Sequence, residues 1–334
     1  MSLVDLINME RIDVVGIGNA LLDFIVEVDD SVLEEIGLEK GRFNLVDEEK
    51  SKLILAKLKN YEMETVPGGS SANTLAGFGL LKGNGVLMGM VGNDAYGEVY
   101  ARKTAESGVG VRLARHESKD TGYCITLVTP DAERTFATYL GASIYFRKNH
   151  VSDEEIRKSK ILHVEGYQLE DPELRAASIY AMQIAKDNEV KVSIDLSDPG
   201  VVERNLEDLK RLVRDYADIV LANEKEAKAF TGKEEEEALN EISKMCEIAV
   251  VKLGGRGSLI KSDGAVHRIP AYKTEIVNTN GAGDMFAAGF LYGFVNNMDL
   301  EKAGKLGSLA ASKVVGQVGA RLHQGALDNL EKEI

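Results

Sequence analysis

Asn278-Thr-Asn-Gly-Ala-Gly-Asp284-Met-Phe sets one carboxylate, Asp284, where a turn of small residues runs into an apolar helix. Gly281, Ala282 and Gly283 let a ligand come close to the backbone. The start of a helix offers unpaired N–H groups and the positive end of a dipole, and both suit an anion. An acid beside an anion cradle sits against electrostatic repulsion. That combination serves chemistry on a phosphate in which a hydroxyl must give up its proton. The local dipole is expected to hold Asp284 ionised.

Other polar residues fall into small groups near turns. Asn19 and Asp23 stand four apart in Gly18-Asn-Ala-Leu-Leu-Asp23, where the first strand opens into a loop. Ligands bind at the carboxyl ends of parallel strands. Pro67-Gly-Gly-Ser-Ser-Ala-Asn73 is a tight turn with capping residues that feeds a small-residue helix. Asn223 begins a helix, with Glu226 in its first turn, and Lys252-Leu-Gly-Gly-Arg-Gly257 turns between strands. Several familiar nucleotide motifs are missing. Gly16-Ile-Gly18 is followed by Leu21 where a dinucleotide fingerprint needs its third small residue, and neither a P-loop nor the protein-kinase signatures occur. His116, His150, His163, His267 and His323 show no metal spacing, and Cys124 and Cys246 are too few and too far apart for a disulfide framework.

The elements that must position these groups follow from periodicity. Ile12–Ile17 reads as a buried strand, and Phe24, Val26 and Val28 alternate as a half-exposed one. Helical spacing covers Asp47–Leu58, Val86–Val91 is a buried strand, and Gly92–Gly97 is a turn. Tyr123–Thr129 and Arg134–Leu140, joined by Pro130-Asp-Ala-Glu133, form a hairpin with one polar face. From Ile161 onward strands and helices alternate: strands at 161–164, 191–196, 219–221 and 248–253, with helices from about Pro172, near Val202, at Glu224 and over Glu234–Lys244. Strands near 258–261 and 266–269, an all-round apolar helix Met285–Val295 and a last helix Asp299–Val315 complete the pattern. Strands alternating with helices mean a mostly parallel sheet covered on both faces.

The 334 residues carry a formal charge of −14, with 44% apolar and 28% charged residues. Such a surface opposes general affinity for nucleic acid or anionic membranes. No signal peptide or membrane-spanning run is evident, so a cytoplasmic protein is expected, with a loose tail at the start.

Asn278–Phe286 resembles the C-terminal signature of the ribokinase-like (PfkB) family of sugar and nucleoside kinases. Pro67–Asn73 looks like that family's substrate motif, Asn223-Glu-Lys-Glu226 like its Asn-x-x-Glu motif, and Lys252–Gly257 like its nucleotide loop. All four motifs occur in family order. Gly316-Gln-Val-Gly319-Ala320 is a looser match to the segment beside the nucleotide base and the monovalent-cation loop. The resemblance implies that Asp284 is the catalytic base, with the N–H groups of Gly281, Ala282 and Gly283 on the moving phosphoryl. It puts Asn223 and Glu226 around Mg²⁺, mainly through water. It assigns Lys252, Gly254, Gly255, Gly257 and Gly319 to ATP. Asp23 and Asn73 would take a sugar's vicinal hydroxyls, with Asn19 beside them and Gly68 and Gly69 admitting the ring. The family often has Asp where this chain has Asn278. A neutral amide holds a cation less well, so a K⁺ site there is weak or absent.

The expected architecture is therefore α/β: a ribokinase-like three-layer fold with a mostly parallel sheet of nine or ten strands. It is read as a single kinase domain over residues 10–330, whose small β-sheet lid comes from about 22–46 and 120–142. The expected activity is transfer of the γ-phosphoryl of ATP to a hydroxymethyl group. The spacing of Asn19 and Asp23 is similar to that of the adenosine-kinase branch, which puts adenosine first. Ribose, fructose or a keto-deoxy sugar acid comes second. Tyr123, Phe136, Tyr139 and Tyr167 are candidates for apolar cover over a base, and Arg134 for a contact to substrate or ATP oxygens. The molecule is expected to be a monomer or homodimer. A catalytically silent binding homologue and a nicotinamide-dependent oxidoreductase are the rival classes; the intact Asp284 and the broken fingerprint count against them.

Overall fold

The computed structural model describes residues 11–131, 133–317 and 319–334; the expected N-terminal tail lies outside them. In chain order the strands are β1 (Ile12–Ile17), β2 (Leu21–Glu27), β3 (Phe43–Leu45), β4 (Glu64–Pro67), β5 (Gly85–Gly92), β6 (Gly110–His116), β7 (Thr121–Val128), β8 (Arg134–Gly141), β9 (Ser159–Glu165), β10 (Lys191–Asp195), β11 (Ile219–Asn223), β12 (Ile248–Lys252), β13 (Ser258–Ser262) and β14 (Ala265–Ile269). Nine of them form one sheet in the order β14-β13-β12-β11-β10-β9-β1-β5-β6. Pairing is parallel from β6 to β12 and antiparallel across β13 and β14. β1 is central because its apolar run has partners on both sides and can be buried on both faces.

Three layers result. On one face Val15, Ile17, Leu162 and Ile194 pack with Leu174, Ala181 and Ala185 of the helix Pro172–Asp187. On the other, Val14, Ile161 and Leu221 meet Phe78 of the helix Ser70–Leu80 and Phe286 and Phe290 of the helix Ala282–Val295. These two helices touch through small residues: a Cβ on Gly77 would lie 2.7 Å from the Met285 sulfur and 2.8 Å from Ala288. Close contact of this pair brings their N-termini, and hence Ser70 and Asp284, together. The helix Leu300–Val315, capped by Asp299 as expected, packs along the Ala282–Val295 helix.

The second sheet has five strands in the order β3-β8-β7-β2-β4. The expected hairpin forms its middle. Ala132, in the connecting turn, is outside the described residues. Several elements differ from the sequence reading. Gly92–Gly97, expected as a turn, is followed from Ala95 by a helix to Ala105, because Asp94 accepts from Gly97 N and caps it. β6 was not expected: its buried and exposed positions follow no clean alternation. β4 begins inside what reads as the approach to a turn, the seven-residue helix Asp30–Ile36 is too short to stand out, and the helix expected near Val202 is two helices, Pro199–Arg204 and Leu206–Tyr216.

Candidate active site

Four neighbouring parallel strands end in polar residues. β9 closes with Glu165, β10 with Asp195, β11 with Asn223 and β12 with Lys252, and the register pairs Glu165 with Asp195 and Asn223 with Lys252. This edge faces the N-termini of the Ser70 and Ala282 helices across a cavity of about 1040 Å³. Asp284 stands in its wall. It lies in the first turn of its helix behind Gly281, which takes φ 77° as N-cap, and no side chain caps the amides of that turn. Gly281 leaves no room for a Cβ, which would lie 2.5 Å from the Ala320 carbonyl oxygen.

The Asp284 carboxylate is held from the neighbouring helix. Ser70 Oγ donates to Oδ1 at 2.8 Å and Asn73 Nδ2 to Oδ2 at 2.9 Å. Burial pushes its pKa up to about 6, against the pull of these two bonds and of Lys252. Desolvation outweighs the local donors, so the carboxylate is more basic than the helix terminus alone would make it, while remaining ionised at neutral pH.

Asp23, on β2, lines the same cavity. Burial raises its pKa to about 7; Arg321 lowers it and Asp284 raises it. Gly68 and Gly69 do not leave open space for a ring. A Cβ on Gly68 would lie 2.5 Å from the Asp23 carboxylate, and one on Gly69, at φ 90°, 2.1 Å from the Asn19 carbonyl oxygen. They are small because the protein itself fills that space. Asn73 lines the cavity, but both ends of its amide are engaged: Nδ2 with Asp284, and Oδ1 with Arg321 Nε at 2.9 Å. It orients the carboxylate, and one N–H and one oxygen lone pair of its amide remain for an acceptor hydroxyl. Asn19 stands behind the lining, 8% exposed, and its Oδ1 is buried without a hydrogen-bond partner. Its backbone N–H donates to Glu165 Oε1 at 2.8 Å, and Ser71 N donates to Glu165 Oε2 at 2.7 Å. Glu165 thereby joins the end of β1 to the start of the Ser70 helix, and burial pushes its pKa up to about 7.

The opposite end of the cavity carries the expected nucleotide residues. Lys252 pairs with Asp195 at 2.9 Å. Burial alone would lower the lysine, but Asp195 and Glu226 beside it keep its pKa raised. Its ammonium lies 3.2 Å from where a Cβ on Gly283 would be, hence against the first turn of the Asp284 helix. Asn223 and Glu226 form a capping box: Asn223 Oδ1 accepts from Lys225 N and Glu226 N, while Asn223 N and Nδ2 donate to Glu226 at 2.7 and 2.5 Å. Burial raises the pKa of Glu226. Gly254 and Gly255 face open space, and both line the cavity with Gly257. Asn278 and Gly319 are brought together, but outside the lining. Asn278 Nδ2 donates to the Gly319 carbonyl at 3.3 Å and its Oδ1 accepts from Asn280 N at 3.0 Å. Among the described residues no three His, Cys, Asp or Glu side chains converge as a metal cage.

The second sheet contributes Asp23 alone to the lining, but its register says which side chains share that face. Asp23, Cys124, Thr138 and Leu45 form one cross-strand row; Ile25, Thr126, Phe136 and Phe43 form the next. Phe43 and Leu45 are each 65% exposed there. Tyr123 and Tyr139 point the other way. They are buried, and their hydroxyls reach Ser51 and Glu48 beneath the sheet, so they cannot cover a ligand at Asp23. Tyr167 does line the cavity, whereas Arg134 does not.

The sequence reading missed Ser70, Glu165, Asp195 and Arg321. A partial signal exists for two of them: an acid ends each of the buried apolar runs of β9 and β10, where a packing role is least expected. Ser70 and Arg321 give no such sign.

Residues 45–324 match the model of the pfkB family carbohydrate kinases. Adenosine kinase 2 of Arabidopsis thaliana is 28% identical over 328 residues, covering 91% of this chain and 94% of that protein. The 5-dehydro-2-deoxygluconokinase of Bacillus subtilis is 32% identical over 263 residues, or 75% of this chain and 81% of that protein. The crystal structure of adenosine kinase from Sinorhizobium meliloti superposes with a TM-score of 0.89 at 34% identity, covering 97% of this chain and 100% of that one. Among the described residues no helix is long and apolar enough to cross a membrane.

Proposed function

Because the chain belongs to the pfkB family of carbohydrate kinases, we propose that it transfers the γ-phosphoryl of ATP to the hydroxymethyl group of a nucleoside, adenosine first. Asp284 accepts the hydroxyl proton as the new O–P bond forms and the bond to the leaving ADP oxygen breaks. The amide of Gly283 and the ammonium of Lys252 stabilise charge on the moving phosphoryl, while the Ala282 amide already donates to the Thr279 carbonyl at 3.3 Å. Asp23 binds acceptor hydroxyls, and Gly254 and Gly255 leave room for the nucleotide.

The carrying observation is the placement of Asp284: donors from the acceptor-side helix fix both its oxygens, and it stands at an uncapped helix start inside the main cavity. A sparse donor set, Asn223 with the buried Glu226, fits Mg²⁺ held through water better than a direct cage. When bound, the ion neutralises phosphate charge. Position 278 does not fit K⁺, since Asn278 turns an N–H toward the Gly319 carbonyl, where a cation would need oxygen.

The apolar, uncovered lid face beside Asp23, made by Ile25, Phe43, Leu45 and Phe136, favours an acceptor with a base over a free sugar. Closing it over the acceptor would exclude water and limit wasteful ATP hydrolysis. The test is a panel of nucleosides and free sugars with ATP and Mg²⁺, run on the wild type and on Asp284→Asn. Adenosine is expected to give the highest kcat/KM, and the variant to lose about 10² to 10⁴ in kcat with ATP binding intact. Higher kcat/KM on ribose, fructose or a keto-deoxy sugar acid would transfer the assignment to a sugar kinase. Near-normal kcat in Asp284→Asn would remove the base.

A further inference from the structure

Arg321 immediately follows the Ala320 that closes on Gly281, and it does not line the cavity. Its guanidinium reaches three elements from behind. Nε donates to Asn73 Oδ1 at 2.9 Å, one terminal nitrogen to Thr104 Oγ1 at 3.2 Å, and the other to the Gly68 carbonyl at 3.3 Å. The Tyr100 hydroxyl donates to that same carbonyl at 3.2 Å, and Tyr100 and Thr104 are fully buried on the helix Ala95–Ala105. Beyond Arg321 the chain is pinned by Leu322, Leu327 and Leu330, buried with Leu80, Met285 and Leu306. The arginine is therefore held by packing on its own segment and by hydrogen bonds ahead of it.

A guanidinium only donates. Asn73 must turn its oxygen to Arg321, which leaves its NH₂ for Asp284 Oδ2. The Gly68 carbonyl is fixed by the same group, and Gly68 is the residue against which the Asp23 carboxylate packs. One side chain thus sets the orientation of both carboxylates, and its charge acts on both.

We propose that Arg321 is a positioning residue for the phosphoryl acceptor, fixing the Asn73 amide on Asp284 and seating the Gly68–Gly69 turn against Asp23 from behind the cavity. The role rests on Asp284 being the base and Asp23 an acceptor contact. Other charged groups that act on Asp284 are Asp23 of β2, Glu165 of β9, Asp195 of β10 and Lys252 of β12; of these Asp23 is itself held lower by Arg321, so changing Arg321 raises Asp23 together with Asp284.

Full-length Arg321→Gln and Arg321→Lys are compared with wild type and Asp284→Asn on the best acceptor of the panel. In Arg321→Gln, KM for the acceptor rises about tenfold or more while KM for ATP stays within about twofold, because only the acceptor side loses its alignment. The acid limb of kcat/KM against pH moves to higher pH, since Asp284 loses the aligned Asn73 donor and a positive neighbour. Arg321→Lys keeps the charge without the planar fork, so the limb returns toward wild type while the acceptor KM stays high. Wild-type acceptor KM and an unmoved limb in Arg321→Gln, with Asp284→Asn inactive, overturn the positioning role and leave the base assignment standing. An active Asp284→Asn overturns the base assignment, and the acceptor KM of Arg321→Gln then decides the positioning role alone. Should Arg321→Gln not fold, Arg321→Lys carries the test: equal changes in the KM values of acceptor and ATP, or none, overturn the role.

Discussion

A general base works best when its pKa lies just below the working pH, ionised yet basic enough to take a proton. Asp284 is placed that way by two opposed effects, burial raising it to about 6 and the Ser70 and Asn73 donors pulling down. The expected kcat/KM profile has an acid limb with its midpoint near pH 6, falling below it as the carboxylate of the free enzyme protonates. Removing a donor to the charged form must raise the pKa, so Ser70→Ala moves the limb to higher pH by roughly half a unit to one unit. A series of kcat/KM against pH on the two proteins checks this; an unmoved limb, or a shift to lower pH, rejects the role of Ser70. Asp284, Lys252 and the Asn223/Glu226 pair were legible because each sits inside a contiguous run of telling residue types. Ser70 and Arg321 were not, because their partners lie 214 and 248 residues away and no local pattern marks such contacts.

Among the elements, period-2 alternation made β2 and the β7–β8 hairpin readable and also sorted their faces. The same alternation rules out Tyr123 and Tyr139 as cover, since both fall on the face opposite Asp23. What the sequence could not reveal was β3. Three residues long, it carries Phe43 and Leu45 to the sheet edge only through its register with Phe136 and Thr138. Both are 65% exposed, so the fold has little need of them. Replacing both by Ser should leave the melting temperature nearly unchanged. If the lid face closes on a base, the double variant raises KM for the nucleoside about tenfold, from the apolar cover lost, and leaves KM for ATP alone. Measuring KM for a nucleoside and for ATP checks it; unchanged nucleoside KM would separate this face from substrate binding.

At the scale of the whole molecule, the strand–helix rhythm after Ile161 fixed the layered α/β reading, and the strand ends that rhythm aligns supply the site's acids. Gathering them has a thermodynamic consequence. Asp23 and Glu165 are raised to about 7 and Asp284 to about 6, from ordinary values of 3.8, 4.5 and 3.8. Between the unfolded and folded values the native state binds more protons than the unfolded chain, so stability falls as pH rises through roughly 4 to 7. His163, buried and lowered to about 4, and His150, lowered by burial, act in the opposite direction as pH falls below their ordinary value of 6.5, but they are two groups against four, since burial raises Glu226 as well. Surface acids such as Glu48, held low by Lys52 and Lys119, lose their contribution only below the ordinary carboxylate range. The ligand-free protein should therefore melt higher near pH 5 than at pH 8. Asp284→Asn removes one of the buried ionisations. It is expected to melt a few degrees above wild type at pH 8, with the gap closing toward pH 5, where the wild-type carboxyl is already protonated. Thermal unfolding of both proteins at the two pH values decides it: a variant less stable than wild type at pH 8, or a gap independent of pH, would mean that Asp284 carries no ionisation strain. The side chain whose loss stops phosphoryl transfer is thus expected to be one the ligand-free fold is more stable without.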